Sequence, residues 1–197
     1  MSLTAVQELA LKETSEYFDG DPLAPDVFLK YALRDSGGNL LETNPDQMHR
    51  RLAKEFARIE ARYPNPLTES EIYEHFKGFG DIVPQGSPMS GIGNPYQLQS
   101  LSNCFVIDSP KDSYGGILFS DQEQVQIMKR RGGVGFDVSN IRPKGLPTSN
   151  AARTTDGIGV FMERFSNSCR EVAQGGRRGA LMLSIDCRHP EIETFIN

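Results

Sequence analysis

Apolar residues recur at helical spacing through the first third of the chain. Between Pro45 and Tyr63, the residues Met48, Leu52, Phe56, Ile59 and Tyr63 stand three and four apart, one stripe that predicts an amphipathic helix. Asn44 before Pro45 makes a well-formed start, because asparagine caps the first amides and proline has no N–H to lose there. Thr68-Glu69-Ser70-Glu71 is a capping box and predicts a second helix that buries Ile72 and Phe76 before Gly78. Residues 4 to 34 read as two shorter helices carrying Leu9 and Tyr17, then Val27, Leu29 and Tyr31, with breaks at Gly20-Asp21-Pro22 and Ala24-Pro25. The charges of this layer read as a solvated face.

From Ile82 to Gln99 the periodicity dissolves into a Gly/Pro/Ser-rich loop, Val83 to Pro95. A loop of that length inside a domain points to function. Ser87 and Ser90 read equally well as phosphate donors or as turn formers.

After Ser100 the period changes. Asn103 to Ile107 is a short apolar run suited to a buried strand, and Gly115-Gly116 separates it from a helix expected to start at the capping box Ser120-Asp121-Gln122-Glu123 and to stop at Gly132. Val134–Val138 reads as the next strand. A helix from about Thr155 to Ala173 carries Ile158, Phe161, Met162, Phe165, Cys169 and Val172 on one stripe, Leu181–Ile185 is a third strand, and Pro190 opens a further helix. Alternating strands and helices predict an α/β fold with a parallel sheet and right-handed crossovers. The expected organisation is a helical region over 1–80 and an α/β region over 81–197.

Composition adds limits. With 38% hydrophobic and 24% charged residues, this is an ordinary globular chain. A net charge of −5 argues against a general nucleic-acid binder. From Lys129 to Arg188, however, eleven Lys/Arg face five Asp/Glu, a local excess that suits a small anionic ligand. Cys104, Cys169 and Cys187 form no CxxC pair, so no metal site is expected. The start of the chain has no leader-like pattern and no apolar run long enough to span a bilayer, so the expected location is the cytoplasm.

The basic excess surrounds two clusters, Arg131-Gly132-Gly133-Val134-Gly135 and Gln174-Gly175-Gly176-Arg177-Arg178-Gly179, with the turn Ile141-Arg142-Pro143-Lys144-Gly145 between them. Bare backbone amides beside guanidinium groups can converge on one anion. Each cluster follows a helix, so helix-start anion binding is excluded and a nest of amides, or the arginines themselves, is expected. Gly132 and Gly175 also read as ordinary helix caps. Capping leaves Gly135, Gly179 and the pair Arg177-Arg178 unexplained.

Ser102-Asn103-Cys104-Phe105-Val106, Asp112-Ser113, Arg131 to Gly135, Ile141-Arg142 and Gln174 to Ala180 follow one another in an order and spacing that resembles the large, catalytic subunit of ribonucleotide reductases. The wording Val83-Pro84-Gln85-Gly86-Ser87-Pro88 and Ser100 to Cys104 is most similar to the adenosylcobalamin-dependent, class II branch. The resemblance implies a helical N-terminal region followed by the first part of a ten-stranded α/β barrel. It implies that Cys104 is one member of a reducing cysteine pair, where the residues alone leave open a buried, inert thiol. It implies substrate contacts at Ser87, Asn103 and Gly133, an effector site at Asp112, Ser113, Arg142, Lys144 and Ser149, and a specificity loop at Gln174 and Arg178.

The same resemblance implies a ribonucleotide substrate, a dNTP or ATP effector that acts as a nucleoside triphosphate, and a thioredoxin-type reductant. It also implies a homodimer through helices 120–131 and 155–173, in which the stripe of Phe161, Phe165 and Cys169 is partly intermolecular. The family's radical cysteine lies in an Asn-x-Cys-x-Glu motif that does not occur between Met1 and Asn197. Cys169 and Cys187 match neither the second reducing cysteine nor the shuttle cysteines. The expected role is therefore part of a reductase that needs a C-terminal portion for activity, without an ATP-cone activity switch. The alternative is a non-catalytic module that binds deoxynucleotides.

Overall fold

The computed structural model describes residues 4–172 and 179–197. The chain divides into two compact units, Met1–Leu101 and Ser102–Asn197.

The first unit is helical: α1 (Ala5–Tyr17), α2 (Ala24–Phe28), α3 (Pro45–Glu60), α4 (Glu69–Phe76) and α5 (Gly86–Gly91). The starts follow the local chemistry expected of them. Asn44 accepts from the N–H of Gln47, and Thr68 and Glu71 close a reciprocal capping box. The core gathers Ala10, Phe28, Met48, Leu52, Ala53, Ile72 and Phe76. Burying a side chain such as Leu52 contributes roughly 2 kcal/mol each. The predicted stripe of α3 holds at Met48 and Leu52 but not further along. The helix ends at Glu60, and Phe56 and Tyr63 are exposed. On α1 the buried positions are Ala10 and Thr14, while Leu9 faces solvent.

The Val83–Pro95 stretch is not a bare loop. It contains α5, whose end is tied to α3: Arg51 donates to the carbonyl oxygens of Met89 (2.8 Å) and Ile92. Arg51 is itself held by the buried Glu42 carboxylate at 2.6 and 3.1 Å. These contacts explain why the segment belongs to the helical unit, and why the boundary falls at Leu101 rather than at the expected residue 80.

The second unit is built on a three-stranded parallel sheet, β1 (Cys104–Val106), β2 (Gly133–Asp137) and β3 (Leu181–Ser184), in the order β1-β2-β3. Helices α6 (Tyr114–Met128), α7 (Ile158–Glu171) and α8 (Ile192–Ile196) complete it. Val134, Phe136 and Val138 alternate onto one face and pack with Ile117, Met128, Ile141, Ile158 and Phe165. The opposite face carries Cys104, Val106, Gly133, Gly135 and Met182, with Val106 91% and Met182 73% exposed. Strand β1, expected to be buried, is therefore open on one face, and the sheet does not close.

Helix α6 starts well before the expected Ser120. Its cap is Ser113, whose hydroxyl accepts from the N–H of Gly116. Gly115-Gly116 is thus the first turn of the helix and not a separator. Gly116 is needed because a Cβ there would lie 2.6 Å from the Lys111 carbonyl oxygen. The supposed capping box lies instead mid-helix, with Ser120 and Asp121 buried: Asp121 is bonded by Arg164 on α7 at 3.0 Å, and Gln124 donates to Asp121 and to the Phe165 carbonyl. Phe165 and Cys169 lie in this unit's own core, which corrects their expected partly intermolecular role. The exposed apolar residues of these two helices are Tyr114, Leu118, Phe119 and Val160.

Candidate functional site

The N-terminus of α6 and the chain that leaves β2 make one cleft of about 520 Å³. Its lining includes Asp112, Ser113, Tyr114, Arg142, Thr148, Ser149, Asn150, Thr155 and Phe161. Arg142 crosses the cleft wall. Its N–H and Nε donate to the two Asp112 oxygens at 3.2 and 2.7 Å, and Nη1 donates to the Pro147 carbonyl. Both side chains of the pair are about one-third exposed, so they are wetted from the cleft. The first amides of α6 have no partner within the helix, and the helix dipole adds partial positive charge beside Arg142. The cleft is suited to an anionic group at one end, with hydroxyl and amide side chains at the other.

Asp112, Ser113, Arg142 and Ser149 are thus brought together. Lys144 is exposed and does not line the cleft, and its N–H is held by Glu191 at 3.0 Å. Tyr114, Thr148, Asn150 and Thr155 were missed from the sequence; the Thr/Ser/Asn turn at 148–150 was the available signal. Tyr114 meets Phe161 edge to face at 5.9 Å, which gives the cleft an aromatic wall.

The open face of the sheet makes a second arrangement. Cys104 is exposed, which removes the buried-thiol reading, and it stands in register with Gly133. The Gly133 N–H donates to the Asn103 carbonyl at 2.6 Å. A Cβ on Gly133 would lie 3.2 Å from that of Ala180, so the glycine keeps the strands close. At the far end of β2, burial pushes the Asp137 carboxyl up, but donors from Ser139 and Ser184 outweigh this and hold it below the ordinary range. Ser87 belongs to the helical unit and is 3% exposed, so its side chain is covered where a substrate contact was expected.

The amide nest expected at the first glycine cluster is absent. The N–H of Arg131 donates to Met128, that of Gly132 to Ile127, that of Gly133 to Asn103 and that of Val134 to Ala180. Helix closure and the sheet ladder use every one of them. The left-handed residue after α6 is Arg131 (φ 70°) and not a glycine. Gly132 is required for space, since a Cβ would meet Ile127 at 2.5 Å and the Phe105 ring at 2.9 Å. Gln174 and Arg178, together with Gly175 and the Arg177-Arg178 pair, lie outside the described residues.

Among the described residues no group of His, Cys, Asp or Glu is arranged to hold a metal, and no helix is long and apolar enough to cross a membrane. Two clefts of the second unit, of about 520 and 550 Å³, are of nucleotide size.

Comparison with known proteins agrees with this architecture. Residues 102–197 match the family "Ribonucleotide reductase, barrel domain". A vitamin B12-dependent ribonucleotide reductase of Streptomyces clavuligerus is 31% identical over 86% of this chain and 18% of its own length. A vitamin B12-dependent ribonucleoside-diphosphate reductase of Mycobacterium tuberculosis is 28% identical over 85% of this chain and 24% of its own. The ribonucleoside-diphosphate reductase large chain 2 of Saccharomyces cerevisiae is 35% identical over 53% of this chain and 12% of its own. The chain therefore spans less than a quarter of the length of each of these relatives. The solved Actinobacillus ureae class Id ribonucleotide reductase alpha subunit superposes with a TM-score of 0.62 at 20% identity, over 86% of this chain and 29% of that one, which establishes a shared fold. An open parallel sheet flanked by crossover helices is what a portion of such a barrel looks like, and residues 102–197 belong to the family of the ribonucleotide reductase barrel domain.

Proposed function

We propose that this chain contributes the effector cleft and one reducing thiol to a ribonucleotide reductase. The observation that carries the reading is the convergence of Asp112, Ser113 and Arg142 on a nucleotide-sized cleft in the unit that matches the barrel. In the proposed reaction a thiyl radical takes the ribose 3′ hydrogen. The C2′–O bond breaks and the hydroxyl leaves as water with a proton from one of two thiols, Cys104 and a partner outside the matched motifs. The pair supplies two electrons and a hydrogen to C2′ and becomes a disulfide, and the abstracted hydrogen returns to C3′, which restores the thiyl. A thioredoxin-type reductant restores the two thiols. Asn103 and Gly133 flank Cys104 on the sheet and are proposed to border the substrate.

In the cleft, Asp112 is proposed to accept from a deoxyribose hydroxyl, with Ser113, Arg142 and Ser149 directed at a nucleoside triphosphate and Lys144, outside the lining, reaching its phosphates from the exposed part of the same loop. Gln174 and Arg178 remain the proposed link between effector and substrate. A homodimer is proposed through the exposed faces of α6 and α7, where Tyr114, Leu118, Phe119 and Val160 stand bare. Adenosylcobalamin as radical source rests on the names of the B12-dependent relatives. In the complete enzyme, with a ribonucleotide and a dithiol, Cys104→Ala is expected to abolish deoxyribonucleotide formation while leaving effector binding intact. Turnover that survives the substitution overturns the role of Cys104. Effector binding without any turnover in the wild-type complete enzyme favours the regulatory-module alternative.

A further inference from the structure

The loop that carries Arg142 is held from outside itself, by two residues that follow β3. One Glu191 carboxylate oxygen, Oε2, accepts both the Lys144 N–H and the Ile158 N–H, each at 3.0 Å. Those amides stand at the two ends of the cleft-forming segment, Lys144 two residues after Arg142 and Ile158 at the first turn of α7. The carboxylate therefore closes the segment like a clasp. The site is shaped for it: Gly157, at φ +83°, has no side chain, and a Cβ there would lie 2.4 Å from Glu191 Oε1. Any other residue at 157 would displace the carboxylate and strain the backbone.

His189 holds the same loop from its other side. The Glu191 N–H approaches His189 Nδ1 at 3.1 Å, and because an amide can only donate, Nδ1 is the acceptor and Nε2 carries the hydrogen. Nε2 then donates to the carbonyl of Ile141 at 3.0 Å, and Ile141 is the buried residue immediately before Arg142. Arg142 thus sits between two backbone groups, Ile141 O and Lys144 N, both fixed by the 189–191 turn.

We infer that Glu191 and His189 are positioning residues for the nucleotide cleft, holding the Arg142 loop in the shape that presents the guanidinium to a triphosphate and coupling that shape to the end of β3. This rests on the reading of the cleft given above. Neither residue lines the cleft, so neither touches the ligand.

The test uses this chain with Glu191→Ala, Glu191→Gln and His189→Phe, read by residue-resolved amide exchange and by titration with deoxythymidine triphosphate. Glu191→Ala is expected to speed exchange at Lys144 and Ile158 and to weaken triphosphate binding, each about tenfold, the change that loss of one charge-assisted hydrogen bond corresponds to. Glu191→Gln, whose amide oxygen still accepts, is expected to fall between, and the sheet amides Val134–Val138 are expected to keep their wild-type rates in all variants. His189→Phe is expected to weaken binding without exposing Ile158. Unchanged exchange at Lys144 in Glu191→Ala overturns the clasp, and faster exchange with unchanged affinity overturns its link to the ligand. If the wild-type chain binds no triphosphate, the reading of the cleft fails, and the exchange measurement alone still decides whether the loop is held.

Discussion

Arg142 grips the Asp112 carboxylate twice, through its backbone N–H at 3.2 Å and its Nε at 2.7 Å, across thirty residues of chain. The pair joins the residue before the α6 cap to the loop after β2, and so draws the two sides of the cleft together. Because each partner is about one-third exposed, the ion pair contributes at most about 1 kcal/mol of stability. Its larger effect is on geometry. Asp112→Asn is expected to leave chemical unfolding of the chain almost unchanged while weakening deoxynucleoside triphosphate binding about tenfold. Calorimetric titration beside a urea transition separates the two, and a loss of stability that accounts for the loss of binding would contradict the assignment.

The core of the helical unit contains an acid-sensitive point. His49 is 0% exposed, neither ring nitrogen has a hydrogen-bond partner, and its ring packs edge-on to Phe79 at 4.5 Å. Burial pushes its pKa down, against the opposing pull of Asp46 and Glu42. Since the folded pKa lies below the unfolded value of about 6.5, the stabilising neutral form is fully present above that pH and is lost as pH falls through the folded pKa. The thermal midpoint is expected to drop below about pH 6.5, and His49→Phe to remove that part of the decline. A wild-type midpoint that stays flat between pH 7 and 5 would sink this account.

Glu42 and Arg51 form a buried pair, with side chains 5% and 10% exposed. Removing one partner leaves a charge without compensation, so Glu42→Gln is expected to cost about 3–5 kcal/mol in a denaturant titration. Replacing both by apolar residues is expected to recover only part of this. The Leu33 N–H, which Glu42 accepts, and the Met89 and Ile92 carbonyls, to which Arg51 donates, would lose their partners as well. Full recovery in the double variant would mean that α5 does not depend on Arg51.

The three thiols are expected to separate by reactivity. Cys104 and Cys187 are exposed, whereas Cys169 is buried and burial pushes its pKa up. A neutral disulfide reagent is expected to titrate two thiols quickly and the third only as the protein opens. With a raised folded pKa, Cys169 contributes stability that is complete below its unfolded value of about 8.5 and is lost as pH rises through the folded one. Stability is therefore expected to decline in the alkaline range, and Cys169→Ala to flatten that decline at the cost of a small cavity. Gly179 shares the site, since a Cβ there would lie 2.8 Å from the Cys169 sulfur.

Much of this protein is local chemistry that its sequence determines by itself. The caps at Asn44 and Thr68, the amphipathic first half of α3, the three strands and their parallel order follow from capping groups, hydrophobic period and alternation, all of which act within a few residues. The motifs around Cys104, Asp112, Arg131 and Arg142 also carry the family resemblance without any structure. Tertiary structure alone decided where local signals conflict or act at a distance. The local pattern starts a helix at Ser120, yet the cap is Ser113, and Asp121 and Gln124 find partners on α7, more than forty residues away. The glycine-arginine cluster after α6 looks like an anion nest, yet its amides are consumed by the helix end and by Asn103 and Ala180, the residues just before β1 and β3, neighbours no local pattern reveals. The cleft itself exists only because the sheet register brings Arg142 back to Asp112 and the 189–191 turn back to Lys144, contacts set by packing between segments thirty and forty-seven residues apart.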